Sequence, residues 1–298
     1  MPQIDIMHLF LLFIIYSFCG WLCEEIWVGI GSRKLVYRGM LYGPICPIYG
    51  FGCLGILYIL YPLRNKWITL FIASFFVTSA LEYVSSWLLE KLFHAKWWDY
   101  SKKFMNINGR VCLLNSCAFG IGGIALEHLV HPFMMQVVYF EKIQCAIPYF
   151  FYILLTILLV DWFFTTKKLV DFTTSLERIK GAAEHLKEQV QEKYDARPQN
   201  INELLETVKK QSANEKIKIS ESMQKNIDIL EAHQKQLESW IKKYPSMKSK
   251  EYEEALNHAK ANFQKKIEET KQKKIQAKAE KAQLKLAKKQ EKAAAKRG

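Results

Sequence analysis

The sequence predicts an all-α protein. Residues 1–166 read as a polytopic membrane bundle of five transmembrane helices, and residues 167–298 as a basic, cytoplasmic, coiled-coil-like helical tail. Three observations carry this. Five apolar runs of about membrane-spanning length fill the first part; charge is concentrated in the second; and the second places its apolar residues at helical spacing. Of the 42 Lys/Arg and 29 Asp/Glu, only eleven and nine precede Lys167. A soluble core would require five consecutive helices apolar on every face, which is instead how bilayer-embedded helices read.

Crossing the hydrocarbon core takes about 20 apolar residues, and the expected spans are 6–30, 40–61, 68–89, 110–130 and 145–165. Basic residues in short loops set their direction. Arg33, Lys34 and Arg38 fill the first loop and Lys91, Lys96, Lys102 and Lys103 the third, while the tail opens on Lys167-Lys168. The other loops hold only Arg64 and Lys66, or Lys142. The expectation is a multi-pass plasma-membrane protein with its N-terminus outside and its tail in the cytoplasm. The first span does not read as a cleavable signal, because it lacks a basic leader and ends in Glu24-Glu25 where small residues would be needed.

All seven cysteines (19, 23, 46, 53, 112, 117 and 145) lie in the apolar part. Cys19 and Cys23 are four apart, sharing a helix face rather than forming a CxxC pair, and no His-rich partner sequence accompanies them. They read as small polarizable residues at helix contacts. The chain contains no GxxxxGK[ST], GxSxG or HExxH pattern, so neither a cofactor nor ATP hydrolysis by the P-loop route is expected of it.

Charged residues inside the spans are the candidates for function. An acidic side chain at the bilayer centre costs about 2.5–3.5 kcal/mol on insertion scales, so it faces protein or water. Glu24 and Glu25 lie toward the cytoplasmic end of the first span, Glu82 near the middle of the third and Glu90 at its end. Arg38 and Arg110 open spans two and four, and Asp161 is near the end of span five. The simplest pairing sets Glu24 or Glu25 and Glu82 against Arg38 and Arg110; a structural ion-pair network with no ligand is the other reading. Glu127, His128 and His131 read as a solvated outer rim.

The second span opens Arg38-Gly-Met-Leu-Tyr-Gly-Pro-Ile-Cys-Pro-Ile-Tyr-Gly-Phe-Gly52. Proline inside a helix removes a hydrogen bond and clashes with the preceding turn. Regular helix starting at Pro47 would reach Tyr61 in about 22 Å at 1.5 Å per residue, short of the ~30 Å core. Residues 39–47, including Tyr42, are therefore expected to be an irregular segment dipping into the membrane, as in the broken helices that often mark transporter sites. Pro44 as a helix-start residue is the alternative. The third loop sets Trp97, Trp98 and Tyr100 beside Asp99, Asn106, Asn108 and Arg110. Its aromatics suit an interfacial belt; its polar groups suit either a head group or the pinning of the loop to the bundle.

These stretches resemble a known family. The Arg38–Gly52 stretch is similar to its first signature. Leu81-Glu-Tyr-Val-Ser-Ser-Trp-Leu-Leu-Glu-Lys-Leu-Phe, Trp97-Trp-Asp-Tyr-Ser and Asn106-Ile-Asn-Gly-Arg-Val-Cys-Leu are similar to its second. The family is the ABC-transporter type IV (CmpB-like permease) group of bacterial membrane proteins, and the likeness covers about residues 10–165. It implies a permease role with a separate ATPase subunit. Five spans are few for a complete transporter, so a homo- or hetero-oligomer is implied as well.

In the tail, Leu176, Ile179, Ala183, Leu186 and Val190 follow 3,4 spacing, and Met223, Ile227, Leu230, Leu237 and Ile241 continue it, with Gln234 interrupting. This predicts two amphipathic helices pairing as a hairpin, broken at Ala196–Asn200, with Asn200 and Glu203 as a capping start. A third helix is expected from near Lys250, and after Lys271 a single exposed helix or disorder. No aromatic stacking set accompanies the lysines, which argues against nucleic acid and for contact with anionic lipid. Three functions stand open: a permease subunit with a polar site on the cytoplasmic side, a membrane enzyme or binding protein for polar lipid head groups, and a scaffold recruiting a partner through its tail.

Overall fold

The computed structural model describes residues 4–32, 39–215 and 220–294. Helix α1 (Ile6–Ser32) is followed by α2 (Pro47–Ile59) and α3 (Trp67–Phe93). A small hairpin comes next, β1 (Asn106–Ile107) against β2 (Val111–Cys112), antiparallel, with Ile107 opposite Val111. Helix α4 (Leu113–Ala125) passes through a π-helical turn (Leu126–Val130) into α5 (His131–Val138), and α6 (Ile147–Tyr194) follows. Helices α7 (Ile201–Glu215), α8 (Glu221–Lys243) and α9 (Glu253–Ala294) complete the chain.

Four stretches are long and apolar enough to cross a membrane: Ile6–Ile26, Trp67–Phe93, Leu113–Val138 and a window within Glu141–Tyr194. The expected five spans are thus four, plus the short helix α2. Its 13 residues cover ~20 Å at 1.5 Å per residue. Helix begins only at Pro47, which has no N–H to give and so suits a first turn.

The other boundaries move for equally local reasons. Asn108 and Gly109 both take positive φ (52° and 65°), the backbone of a type I′ turn, for which Asn-Gly is the favoured pair. Residues 106–112 therefore form a hairpin, and the fourth span starts at Leu113 rather than Arg110. Pro132 cannot donate a helical hydrogen bond, and the preceding turn widens to π geometry before the helix continues to Val138. Helix α6 does not stop at Thr165, because no proline follows and its apolar residues keep helical spacing; the composition change at Lys167 falls inside it.

The described residues divide into two compact units, one from 1–178 with 242–253, the other from 179–241 with 254 onward. In the first, α1 packs on α2 and α5, α2 on α3, and α3 on α4. Leu12, Tyr16, Ile56, Leu57, Leu60, Leu70, Leu126 and Val138 form the core. Glycine sets the closeness of α3 and α4: a Cβ at Gly123 would come within 2.3 Å of Ser74 Oγ, the small-residue contact typical of membrane helices. Phe76, Leu159 and Phe163 lie exposed on the outer faces, where lipid would cover them.

The second unit buries Leu186, Val190, Ile201, Leu204, Val208, Met223, Leu230, Leu237 and Leu256. The expected capping start is present: Asn200 Oδ1 accepts from the Glu203 N–H at 3.0 Å, and Glu203 accepts from the Gln199 N–H at 2.8 Å. Gln234 breaks the apolar spacing because it belongs to a polar layer. Asn262 donates to it at 3.0 Å and contacts His258 at 3.0 Å, and His258 meets Asn202 at 2.8 Å. The expected second tail helix is two helices, α7 and α8, with 216–219 outside the described residues. Side chains 271–281 of α9 are exposed.

Candidate functional site

The irregular segment before α2 is held by a carboxylate. Asp161 of α6 accepts the backbone N–H of Tyr42 at 2.8 Å and of Gly43 at 2.6 Å. Ser17 O accepts the Cys46 N–H at 3.0 Å. Backbone amides without helical partners are costly away from water, and these are satisfied one by one. Tyr42 itself is exposed, with Lys168 Nζ 5.2 Å from its ring centre.

One turn into α2, the Tyr49 hydroxyl donates to Glu24 at 3.2 Å. Glu25 and Glu82 are buried, at 7% and 8% exposure. The Tyr100 hydroxyl and the Asn115 side chain stand beside the Glu82 carboxylate, and Glu24 is close enough for the two charges to interact. The expectation set Glu24 or Glu25 and Glu82 against Arg38 and Arg110, and Arg110 does not meet Glu82. Arg110 Nη2 instead meets Glu90 at 2.7 Å, its Nη1 donates to Ser86 at 3.3 Å, and its guanidinium lies 5.4 Å from the centre of the Tyr83 ring. Arg38 lies outside the described residues.

The polar groups of the third loop are used in its own construction. Asp99 accepts from Ser101 Oγ at 2.6 Å and pairs with Lys248 Nζ at 2.7 Å. Burial alone would raise the Asp99 carboxyl, but the hydrogen bonds from Lys248 and Ser101 outweigh it and hold it at about 2. Asn106 donates to Ser101 O and Lys103 O at 3.2 and 2.9 Å and accepts from the Gly109 N–H at 2.9 Å. Asn108 donates to the Tyr83 hydroxyl at 2.9 Å, and Trp98 Nε1 donates to Arg110 O at 2.9 Å. Trp97 is buried rather than interfacial, its ring 5.2 Å from Phe172 and 5.4 Å from Tyr244.

Residues 242–253 belong to this same unit. Lys248 and Lys96 exchange backbone hydrogen bonds of 2.7 and 2.9 Å, Ser249 Oγ donates to His94 O at 2.6 Å, and Lys243 Nζ donates to Gly39 O at 3.0 Å.

The broken helix, the carboxylates and the loop all lie within one family match. A family profile described as "Putative ABC-transporter type IV" covers residues 11–166. The chain belongs to this family. It is a membrane protein of the ABC-transporter type IV group, and the residues after 166 lie beyond the match. No curated protein and no solved structure matches the chain.

In this type IV member, Tyr49, Tyr100 and Asn115 join the carboxylates although the sequence reading did not select them as site residues. Asn115 was the legible one, an amide in the first turn of an otherwise apolar helix. Asp161 was visible as a charge near the end of a span, but its backbone partners lie more than a hundred positions away. His131 is no solvated rim residue: it meets the buried Tyr16 hydroxyl at 2.7 Å. Among the described residues, no group of three or more His, Cys, Asp or Glu could hold a metal ion.

Proposed function

We infer that this chain is the membrane-spanning permease subunit of an ABC-type transporter. Its N-terminus faces outward, and a polar site opens at the cytoplasmic side of the bundle. The observation that carries the reading is the break before α2. An irregular stretch, pinned by Asp161, leads into a helix too short to cross, whose first turn contacts Glu24. Broken helices beside buried charge are where transporters place their substrates. Family membership supports the same role.

The head-group reading loses its main support, since Arg110 is tied to Glu90 and Ser86 and the loop asparagines to backbone and Tyr83. The scaffold reading keeps one observation: side chains 271–281 of α9 are exposed and lysine-rich. They would suit anionic lipid or a recruited protein.

The permease reading requires a separate ATPase, since this chain has no P-loop. Affinity purification of the full chain from native membranes in mild detergent should recover an ATPase subunit in near-stoichiometric amount. Repeated recovery of an intact chain without one would overturn the assignment. Deletion of residues 254–298 should leave that recovery unchanged, whereas a scaffold would lose its partner.

A further inference from the structure

Pro245 stops α8 at Lys243, and helix does not resume until Glu253. The link between them, residues 242–253, belongs to the membrane unit although the family match ends at 166. It joins two parts of that unit. Toward the third loop the attachment is broad. Met247 and Tyr252 are buried, and the Tyr244 ring stands 5.4 Å from that of Trp97. Lys248 exchanges two backbone bonds with Lys96 and its ammonium meets Asp99. Ser249 Oγ donates to His94 O and accepts the Tyr252 N–H, and Glu251 meets His94 at 2.6 Å. Toward the broken helix, the link reaches with Lys243, whose ammonium donates to the buried Gly39 carbonyl at 3.0 Å.

The two attachments differ in kind. Burying an ammonium costs hydration. Burial pushes the Lys243 pKa down and Lys168 adds repulsion, while Asp161, Cys46 and Glu25 pull the other way. The loop attachment, by contrast, is apolar contact with paired charges. The link is therefore firmly seated at one end and held against an opposing cost at the other. The costly end covers the start of the irregular segment, where every backbone group needs a partner. Asp161 supplies one to the amides of Tyr42 and Gly43, and Lys243 supplies one to the carbonyl of Gly39.

We infer that residues 242–253 are a strap closing the cytoplasmic end of the broken helix, with 244–252 as its anchor on the third loop and Lys243 as its latch on Gly39. The inference rests on the transport reading and gives that site its regulation. Release of the latch hands the Gly39 carbonyl to water and opens the segment ahead of Glu24 and Glu25, while the anchor stays in place.

The test uses the full-length protein in detergent. Two rates are read by mass spectrometry: modification of the buried Cys46 by N-ethylmaleimide, and hydrogen exchange across 39–46. Lys243→Met keeps the stem and loses the ammonium, and it should speed both by about tenfold or more. Lys243→Arg, which still donates, should stay near the native rates, as should Lys102→Met on the exposed face of the third loop. Thiol access separates closure from stiffening. Faster amide exchange with unchanged Cys46 modification would overturn the strap as a closure, and native rates for both in Lys243→Met would overturn the latch.

A second variant fixes the anchor. Lys96 and Lys248 exchange both backbone bonds, which sets their Cα atoms about 5.5 Å apart, within disulfide reach. In Lys96→Cys/Lys248→Cys, oxidised, Lys243→Met should still open Cys46. Loss of the effect under that lock would show that the whole strap had lifted, and would overturn the latch. If Lys243→Met cannot be purified, Lys243→Gln, too short to span to Gly39, takes its place. An ATPase that co-purifies with a chain whose Cys46 ignores Lys243 would remove the strap and leave the transport reading intact. A latch-dependent Cys46 without an ATPase would do the reverse.

Discussion

Asp99 carries a hydroxyl, a backbone amide and an ammonium on one carboxylate, at 2.6, 3.2 and 2.7 Å. Its carboxyl stands at about 2 against an ordinary 3.8, so the folded protein binds that proton less readily than the unfolded chain. The stabilisation is therefore fully present above about pH 4 and lost as pH falls through about 2. Asp99→Asn should lower the thermal midpoint at neutral pH and flatten the pH dependence between those limits; an unchanged slope would refute the linkage. Gly109 beside it is needed twice, for its φ of 65° and because a Cβ would sit 2.6 Å from Asp99 Oδ1. The Asn-Gly turn was legible from residue types. The partner of Arg110 was not, because Glu82 and Glu90 are both acids on the same helix and only the seating of the hairpin chooses Glu90.

At the scale of elements, the short α2 follows from local chemistry. Two prolines and the glycines of 39–52 cannot sustain a regular span, and the helix starts at the second proline. What holds the preceding segment was hidden, since the acceptor for its amides lies on α6. Charge-assisted bonds of this kind are worth about 1.5–3 kcal/mol. Asp161→Ala should therefore speed hydrogen exchange across 39–46 by one to several orders of magnitude, roughly tenfold per 1.4 kcal/mol. Asp161→Asn, which can still accept, should speed it less. Equal protection in all three proteins would show that the segment is held some other way. In the tail, the interruption at Gln234 looked like a flaw in an apolar seam. It is one member of a layer with Asn262, His258 and Asn202, and a polar group needs its partners from other helices before it makes sense.

For the whole molecule, the inferred orientation gives a direct expectation. In a variant keeping only Cys145, a membrane-impermeant maleimide should label intact cells, because that orientation puts the α5–α6 junction outside and Cys145 is exposed. In a cysteine-free chain carrying Lys250→Cys, labelling should require permeabilisation. The opposite pattern would invert the topology and place the carboxylate site on the outer side. The inferred direction rests on the basic residues of the short loops.

By itself the sequence determined the bilayer as solvent, the all-helical class, the break before α2 and the apolar faces of the tail. Each of these is a property of neighbouring residues: hydropathy over about twenty positions, proline and glycine chemistry, or helical spacing. Only the tertiary structure decided the partners. It turned five spans into four and a fragment, gave Arg110 to Glu90, drew residues 242–253 into the membrane unit through Lys248 and Ser249, and set Glu82 beside Tyr100 and Asn115. The reason is that a hydrogen bond or ion pair depends on fractions of an ångström between residues far apart in the chain, and no local pattern carries that distance.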